Sequence, residues 1–379
     1  MKQASRTTCT FCVMDDSNPA IEFDKKGQCN CCRDARTRLS SEWWPGPEGE
    51  QRMVRLAQYL RERGKGKPYD AMVGLSGGID SAYLAHIASR KCRLRLLAVH
   101  VDAGWNTEPA VANIESIVRG LEIDFYTHVI EWQEMRDLQV AFLKASVLNQ
   151  DMPQDHAFFA TLYRTANRFG IRDFLSGVNF ASESIVPPGF GYPSIDGKHI
   201  SAIHEIFGHE PQRTYPIMGL PEYFWMTRLR RQLTIHRPLN FYNYDKQAAQ
   251  DELKQEYGWR DYGGKHSESR FTKFYQEIYL PRKFGFDKRR LHFSSLIVSG
   301  QMTRAAALKE LEMPPISDQQ AKRDIKFVAK KLALQQAQLI EYIDSPPRRH
   351  QDYPNNLKLF SVLRNLKSLL NLHNREEGA

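Results

Sequence analysis

No apolar run in this chain approaches the roughly 18 residues that a membrane-spanning helix needs. The first residues, Met1 to Thr8, are polar and lack the apolar centre of an export signal. Both absences lead to the expectation of a cytoplasmic protein without membrane insertion. Cysteine is scarce beyond the first 32 residues: of six, only Cys92 lies there. A disulfide framework would need an oxidising compartment, which the missing export signal does not offer. The phosphate-binding string of Gly, four residues and Gly-Lys-Ser/Thr is also missing. The nearest approach, Gly258 to Lys265, has the wrong spacing and no hydroxyl.

What is present is a chain of 379 residues, 41% hydrophobic and 26% charged, long enough for one large core or two ordinary ones. The net charge of +9 implies anionic partners without choosing among nucleic acid, nucleotides and acidic sugars. Arg260 to Lys309 holds eleven Lys/Arg against four Asp/Glu, close to the whole excess.

Cys9-x-x-Cys12 and Cys29-x-x-Cys32 repeat one knuckle on either side of sixteen residues. Each knuckle presents two thiolates to one tetrahedral ion, which predicts a zinc ribbon over residues 1–45. Cys31 adds a fifth thiol, leaving an iron–sulfur cluster as a rival and the choice among Cys29, Cys31 and Cys32 open. Four thiolates close the coordination sphere, so the metal would be structural, and it would supply the folding free energy of a segment with little core.

After a linker over Ser40–Gly49 and a helix over Gln51–Arg63, strands and helices alternate. Strands are expected at Tyr69–Leu75, Leu94–Val101, Ile123–Ile130 and Asp173–Gly177. Helices are expected at Asp80–Arg90, Pro109–Leu121, Gln133–Leu148 and Ala157–Phe169. Alternation with near-continuous apolar strands predicts an α/β fold, a parallel sheet with helices on both faces, over residues 50–200. Ligands of such sheets bind beyond the carboxyl ends of the strands. From 201 to 379 helix-like stretches take over, and the leucines of Leu357–Leu372 read as core packing.

The most specific string is Ser76-Gly77-Gly78-Ile79-Asp80-Ser81, between the first strand and its helix. Two glycines let backbone N–H groups converge on an anion, Ser76 and Ser81 add hydroxyls, and the helix N-terminus adds partial positive charge. The string resembles the signature of the PP-loop ATP pyrophosphatases, which cleave ATP to AMP and pyrophosphate. That resemblance implies an ATP site at Ser76, Gly77, Gly78, Asp80 and Ser81. It adds Asp102 after the second strand, and Gly177 and Asn179 after the fourth. Asp80 would hold Mg²⁺.

With the four cysteines, Tyr262-Gly263-Gly264-Lys265-His266 and Leu280-Pro281-Arg282-Lys283-Phe284-Gly285-Phe286-Asp287-Lys288-Arg289-Arg290, the chain is similar to the bacterial N-acetyl sugar amidotransferases of the WbpG and PseA type. This implies that ATP and ammonia convert an acetamido group of a nucleotide-linked sugar to an acetamidino group, in O-antigen and lipopolysaccharide synthesis. Asp80, Lys265 and Lys283 are then the expected catalytic residues, and His266, Glu268, Lys288 and Arg289 the substrate contacts. Residue 2 is Lys and Cys92 lacks a Gly-flanked turn, so this chain is not expected to hydrolyse glutamine. The resemblance implies that a separate glutaminase supplies ammonia, with a synthase subunit resembling that of the histidine pathway. Two other readings compete. A tRNA thiolase would want an active-site cysteine, which Cys92, on the approach to the second strand, is badly placed to supply; nucleic acid is therefore not the expected partner. A non-catalytic nucleotide-binding module would not require the complete loop.

Overall fold

The computed structural model describes residues 6–187, 192–226, 233–264 and 267–362. Its centre is a five-stranded, wholly parallel sheet: β1 (Ala71–Gly74), β2 (Leu96–Asp102), β3 (Asp124–Val129), β4 (Asp173–Leu175) and β5 (Thr234–His236). The strand order is β3-β2-β1-β4-β5. Val73 sits opposite Ala98 of β2 and Leu175 of β4, so the order reverses beside β1, where such sheets open their ligand crevice.

The helices of the sheet region are α1 (Asn30–Glu42), α2 (Pro47–Arg63), α3 (Ile79–His86), α4 (Glu108–Leu121), α5 (Trp132–Ala145), α6 (Met152–Phe169), α7 (Phe180–Glu183), α8 (Gly197–Phe207) and α9 (Leu220–Phe224). Beyond them come α10 (Lys246–Tyr257), α11 (Arg270–Phe274), α12 (Arg289–Val298), α13 (Arg304–Glu312), α14 (Asp318–Lys331) and α15 (Gln336–Asp344). A π-helical stretch, Tyr275–Phe284, continues α11.

Alternation along the strands decides how the sheet is covered. Ala71, Val73, Leu96 and Ala98 face Ile114 and Ile117 of α4, while Met72, Leu97 and Val99 face Leu162 and Ala166 of α6. Each Val, Leu, Ile or Met side chain among these contributes about 1.5–3 kcal/mol on burial, and the continuous apolar runs come from covering both faces.

Element ranges differ from the sequence reading in physically simple ways. Helix α1 runs to Glu42 and α2 begins at Pro47, which shortens the linker, because Pro is well suited to a first helical position. Helix α6 starts five residues earlier than expected, with Pro153 in its first turn. A fifth strand lies in the region read as helical, where Thr234 pairs with Asp173. No helix among the described residues is long and apolar enough to cross a membrane. The leucine-rich tail lies outside the described residues from 363 onward.

The cysteine segment has no core of its own. Its cysteines, Met14, Ile21 and Ala35 share one cluster with Phe271, Phe274, Leu291, Ile325 and Leu339 of the C-terminal helices.

Candidate functional site

Strand β1 ends where Leu75 N–H meets the Val99 carbonyl at 2.9 Å, and the chain then turns out of the sheet. Gly77 takes φ +83°, and a Cβ there would lie 2.5 Å from the Ala110 carbonyl oxygen. Only glycine fits, because both the backbone angle and the neighbouring helix forbid a side chain. Gly78 caps α3. The Ser81 hydroxyl accepts from Ser76 N–H at 3.3 Å and donates to Gly78 C=O at 3.1 Å. The second turn packs against this loop, since a Cβ on Gly177 would lie 3.1 Å from Ser81 N.

Oxygen atoms from the C-terminal half already meet the loop. Ile79 N–H donates to the Tyr262 hydroxyl at 3.2 Å, and Ser76 Oγ donates to Glu268 Oε1 at 3.4 Å. These acceptors sit at the positive end of α3, where the geometry suits an anion.

Beside the loop lies a cavity of about 460 Å³. Leu75, Ser76, His100 and Val101 from the strand ends form one side of it. Glu268, Ser269, Thr272, Tyr275 and Lys288 form another, and Asp151 and Asp155 at the start of α6 a third. Asp151 Oδ1 accepts from Thr272 Oγ1 at 3.1 Å and Gln154 Nε2 at 3.0 Å. Burial raises the Asp151 carboxyl, with Asp155 adding like-charge repulsion. Burial also pushes the Asp155 carboxyl up to about 6, against the opposing pull of Lys288. Its side chain is nonetheless open to the cavity. His100 donates Nδ1–H to Leu75 C=O at 2.7 Å, and burial lowers its pKa, so the ring is neutral at pH 7.

Of the residues singled out in the sequence, Ser76, Glu268 and Lys288 line this cavity. Asp80 instead accepts from the Tyr244 hydroxyl and lines a second cavity of about 140 Å³ with Ser182, Asp245 and His292. Lys265 and His266 lie outside the described residues.

Four further expected contacts have partners within the protein. Lys283 Nζ donates to the carbonyls of Tyr342 at 2.8 Å and Ser345 at 2.6 Å, so it closes the end of α15. Arg289 pairs with Asp287 at 2.7 Å and donates to Met313 C=O at 2.7 Å. Asn179 caps α7 by accepting from Ser182 N–H at 3.0 Å. Asp102 accepts from Gly104 N–H at 2.8 Å and Asn106 Nδ2 at 3.1 Å, and it borders a different cavity, beside Trp132 and Lys331. Each of these polar groups is engaged in holding the fold.

Sequence reasoning missed Asp151, Asp155, Thr272, Tyr275 and Tyr244. The one local signal was the i, i+4 spacing of Asp151 and Asp155, which puts both on one helical face.

The cysteine segment holds a separate site. The sulfurs of Cys9, Cys12, Cys29 and Cys32 lie within 4.8 Å of one another, and all four residues are fully buried. Cys9 and Cys32 are 3.7 Å apart and Cys12 and Cys29 3.5 Å, against about 3.8 Å for a tetrahedron with Zn–S bonds of about 2.3 Å. The Cys12 and Cys32 N–H groups point at Cys9 and Cys29 sulfurs, each at 3.4 Å, as thiolates require. The residues therefore fit zinc. Cys31 lies outside this group, its thiol directed at Asn30 Oδ1.

Residues 268–367 match the family described as "LPS biosynthesis protein WbpG-like, C-terminal domain". That stretch of the chain is similar to the C-terminal domain of this family. It is 32% identical over 87 residues to a GMP synthase [glutamine-hydrolyzing] of Pyrobaculum aerophilum. That match covers 23% of this chain and spans only 16% of the relative. Among solved structures, an NH3-dependent NAD synthetase from Campylobacter jejuni is 14% identical, covering 67% of this chain and 97% of its own, with a TM-score of 0.30. An NMN synthetase from Francisella tularensis is 17% identical, covering 55% of this chain and 95% of its own, also at 0.30.

Proposed function

We propose that this chain is an ATP-dependent amidotransferase that turns an acetamido group of a nucleotide-linked sugar into an acetamidino group. One observation carries the reading. The cavity that receives Ser76 of the PP-loop is walled on its other side by Glu268, Thr272, Tyr275 and Lys288, all within the WbpG-like domain. The loop and the segment that resembles the WbpG-like domain thus line one chamber, which supports a shared site for nucleotide and sugar.

An amide oxygen is a poor leaving group. In the proposed reaction it attacks the α-phosphorus of ATP, pyrophosphate departs, and the carbonyl carbon becomes an O-adenylated imidate. Ammonia then adds to that carbon, AMP leaves with the oxygen, and an amidine remains. Pyrophosphate would be received by the N–H groups and hydroxyls between Ser76 and Ser81. Asp80, the acid of the loop, would hold Mg²⁺, which would neutralise phosphate charge there. Lys288 would meet an anionic group of the nucleotide sugar. Zinc in the four-cysteine site would be structural, with every ligand position filled by sulfur.

A separate glutaminase would supply ammonia, with a synthase subunit of the histidine-pathway kind as its conduit. Burial raises the Cys92 thiol, which leaves it a poor nucleophile for hydrolysing glutamine or carrying sulfur. Lipopolysaccharide O-antigen synthesis in the cytoplasm is the setting this reading implies. The test is incubation with ATP, ammonium and a panel of diacetamido nucleotide sugars. The expected result is AMP, pyrophosphate and a sugar product one mass unit lighter. AMP formed only with transfer RNA present would sink the proposal in favour of thiolation.

A further inference from the structure

Helix α12 reaches three parts of the molecule at once. At its N-terminus Lys288 lines the main cavity. Two residues on, Arg290 Nη1 donates to the Val13 carbonyl at 2.7 Å, and its Nε lies 3.0 Å from the fully buried Asp15 carboxylate. One turn further, the buried Ser294 hydroxyl accepts from Val13 N–H at 3.3 Å. Both polar groups of Val13 are thus bonded to a single helix, and Val13 directly follows Cys12. Across the same helix, Ser295 Oγ accepts from Ile185 N–H and Ser299 Oγ donates to Ala181 C=O, each at 3.0 Å. Those bonds tie α12 to the segment behind β4.

The knuckle is gripped from another direction too. Arg304 at the start of α13 donates to the carbonyls of Cys9 at 2.9 Å and Cys12 at 3.0 Å. A metal held by the four sulfurs fixes Cys12, and with it the peptide that Arg290 and Ser294 read. A helix is stiff along its axis, with the span from Ser294 to Lys288 only about 9 Å at a rise of about 1.5 Å per residue. Displacement of the knuckle therefore reaches the cavity end of α12 rather than dissipating in a loop.

We infer that Arg290 and Ser294 are positioning residues, which carry the geometry of the four-cysteine metal site along α12 to Lys288. The inference rests on the function proposed above only in treating the cavity as the substrate site. A surface ion pair would be worth little, but here Asp15 is fully buried, and Arg290 at 3.0 Å is the nearer of its two cations, so removing it leaves the carboxylate only Arg6, at 3.6 Å.

The experiment measures the rate at which Lys288 is acetylated by a water-soluble reagent, read by peptide mass spectrometry, in the intact protein. No nucleotide, sugar or turnover is needed. Zinc-loaded protein is compared with chelated protein and with Arg290→Met, Arg290→Lys and Ser294→Ala, each checked for zinc by elemental analysis. Arg290→Met with its zinc retained should shift the Lys288 rate several-fold, with the rate at exposed surface lysines unchanged. Arg290→Lys, which restores the charge but not the second donor, should fall between. An unchanged Lys288 rate in zinc-retaining Arg290→Met overturns the inference, whatever chelation does to the fold. Where labelling shifts and the KM for the nucleotide sugar rises with kcat held, both readings stand. A labelling shift in a protein that amidates no sugar upholds the positioning role and removes the proposed function.

Discussion

The hydroxyl of Tyr244 donates to the carboxylate of Asp80, joining the acid of the Ser76–Ser81 loop to a residue 164 positions later. Burial and the neighbouring Asp80 charge raise the Tyr244 pKa, so the hydroxyl stays protonated and remains a donor. Asp80→Ala should abolish AMP and pyrophosphate formation while the protein still folds. Tyr244→Phe should retain part of the activity. Loss of one hydrogen bond to a charged group costs about 1.5–3 kcal/mol, so a decrease of roughly tenfold to a hundredfold is expected. Steady-state pyrophosphate release measures both, and full activity in Tyr244→Phe would show that the bond does not order Asp80.

Gly77→Ala tests the loop by crowding rather than by chemistry. The new methyl would press on the Ala110 carbonyl, and the backbone angle would add about 1–3 kcal/mol of strain. Nucleotide binding followed by calorimetry should fail, with a lowered melting temperature. Binding at the normal affinity would mean that the loop can be rebuilt around a side chain.

Lys283 and Lys288 stand close in sequence but make opposite predictions. Lys283→Met should lower stability by about 1.5–3 kcal/mol, through carbonyls left unbonded at the end of α15, and leave turnover intact. Lys288→Met should keep the melting temperature and raise the KM for the sugar. The reverse pattern would return Lys283 to the active site. The Lys283 amine itself is pushed down to about 8 by burial. The folded protein thus binds fewer protons than the unfolded chain between about pH 8 and 10.5, and this lysine adds stability as pH rises through that window.

Asp155 gives the opposite slope. Its carboxyl is raised to about 6 by burial, so from about pH 4 to 6 the folded state binds more protons than the unfolded one. Stability from this group is present in acid and lost as pH rises through 6. The melting temperature of Asp155→Asn minus that of the parent should therefore climb between pH 4 and 6 and then level. A difference independent of pH would show that the carboxyl titrates normally.

Metal analysis should find one zinc per chain, kept in Cys31→Ser and lost in Cys32→Ser, because only the latter removes a sulfur from the cluster. Iron, or a visible absorption band bleached on reduction, would replace zinc in this account.

The loop, the knuckles and the first four strands were legible because each is written locally, in spacing and in apolar runs. Strand β5 was not: three residues at the sheet edge, two of them exposed, carry no periodicity to read. Nor was the acidic wall of the cavity, since Asp151 and Asp155 acquire meaning only when α6 is folded against Thr272 and Lys288. The cationic run has partners that its spacing does not announce. Lys283 and Arg289 look like anion-binding residues in one dimension, but in three dimensions helix carbonyls and Asp287 already satisfy them.

The embrace of the knuckles by Arg304 has a consequence for biosynthesis. Cys9 and its arginine cap are 295 residues apart, so a growing chain exposes its thiols long before the helices that cover them exist. At about 5–20 residues per second, that interval lasts on the order of 15–60 seconds. Metal capture during translation would protect the thiols from oxidation while the apolar side of the segment waits for its far partner. A chain cut short before α13 would carry a loaded but uncovered ribbon, and aggregation rather than loss of zinc would be its failure.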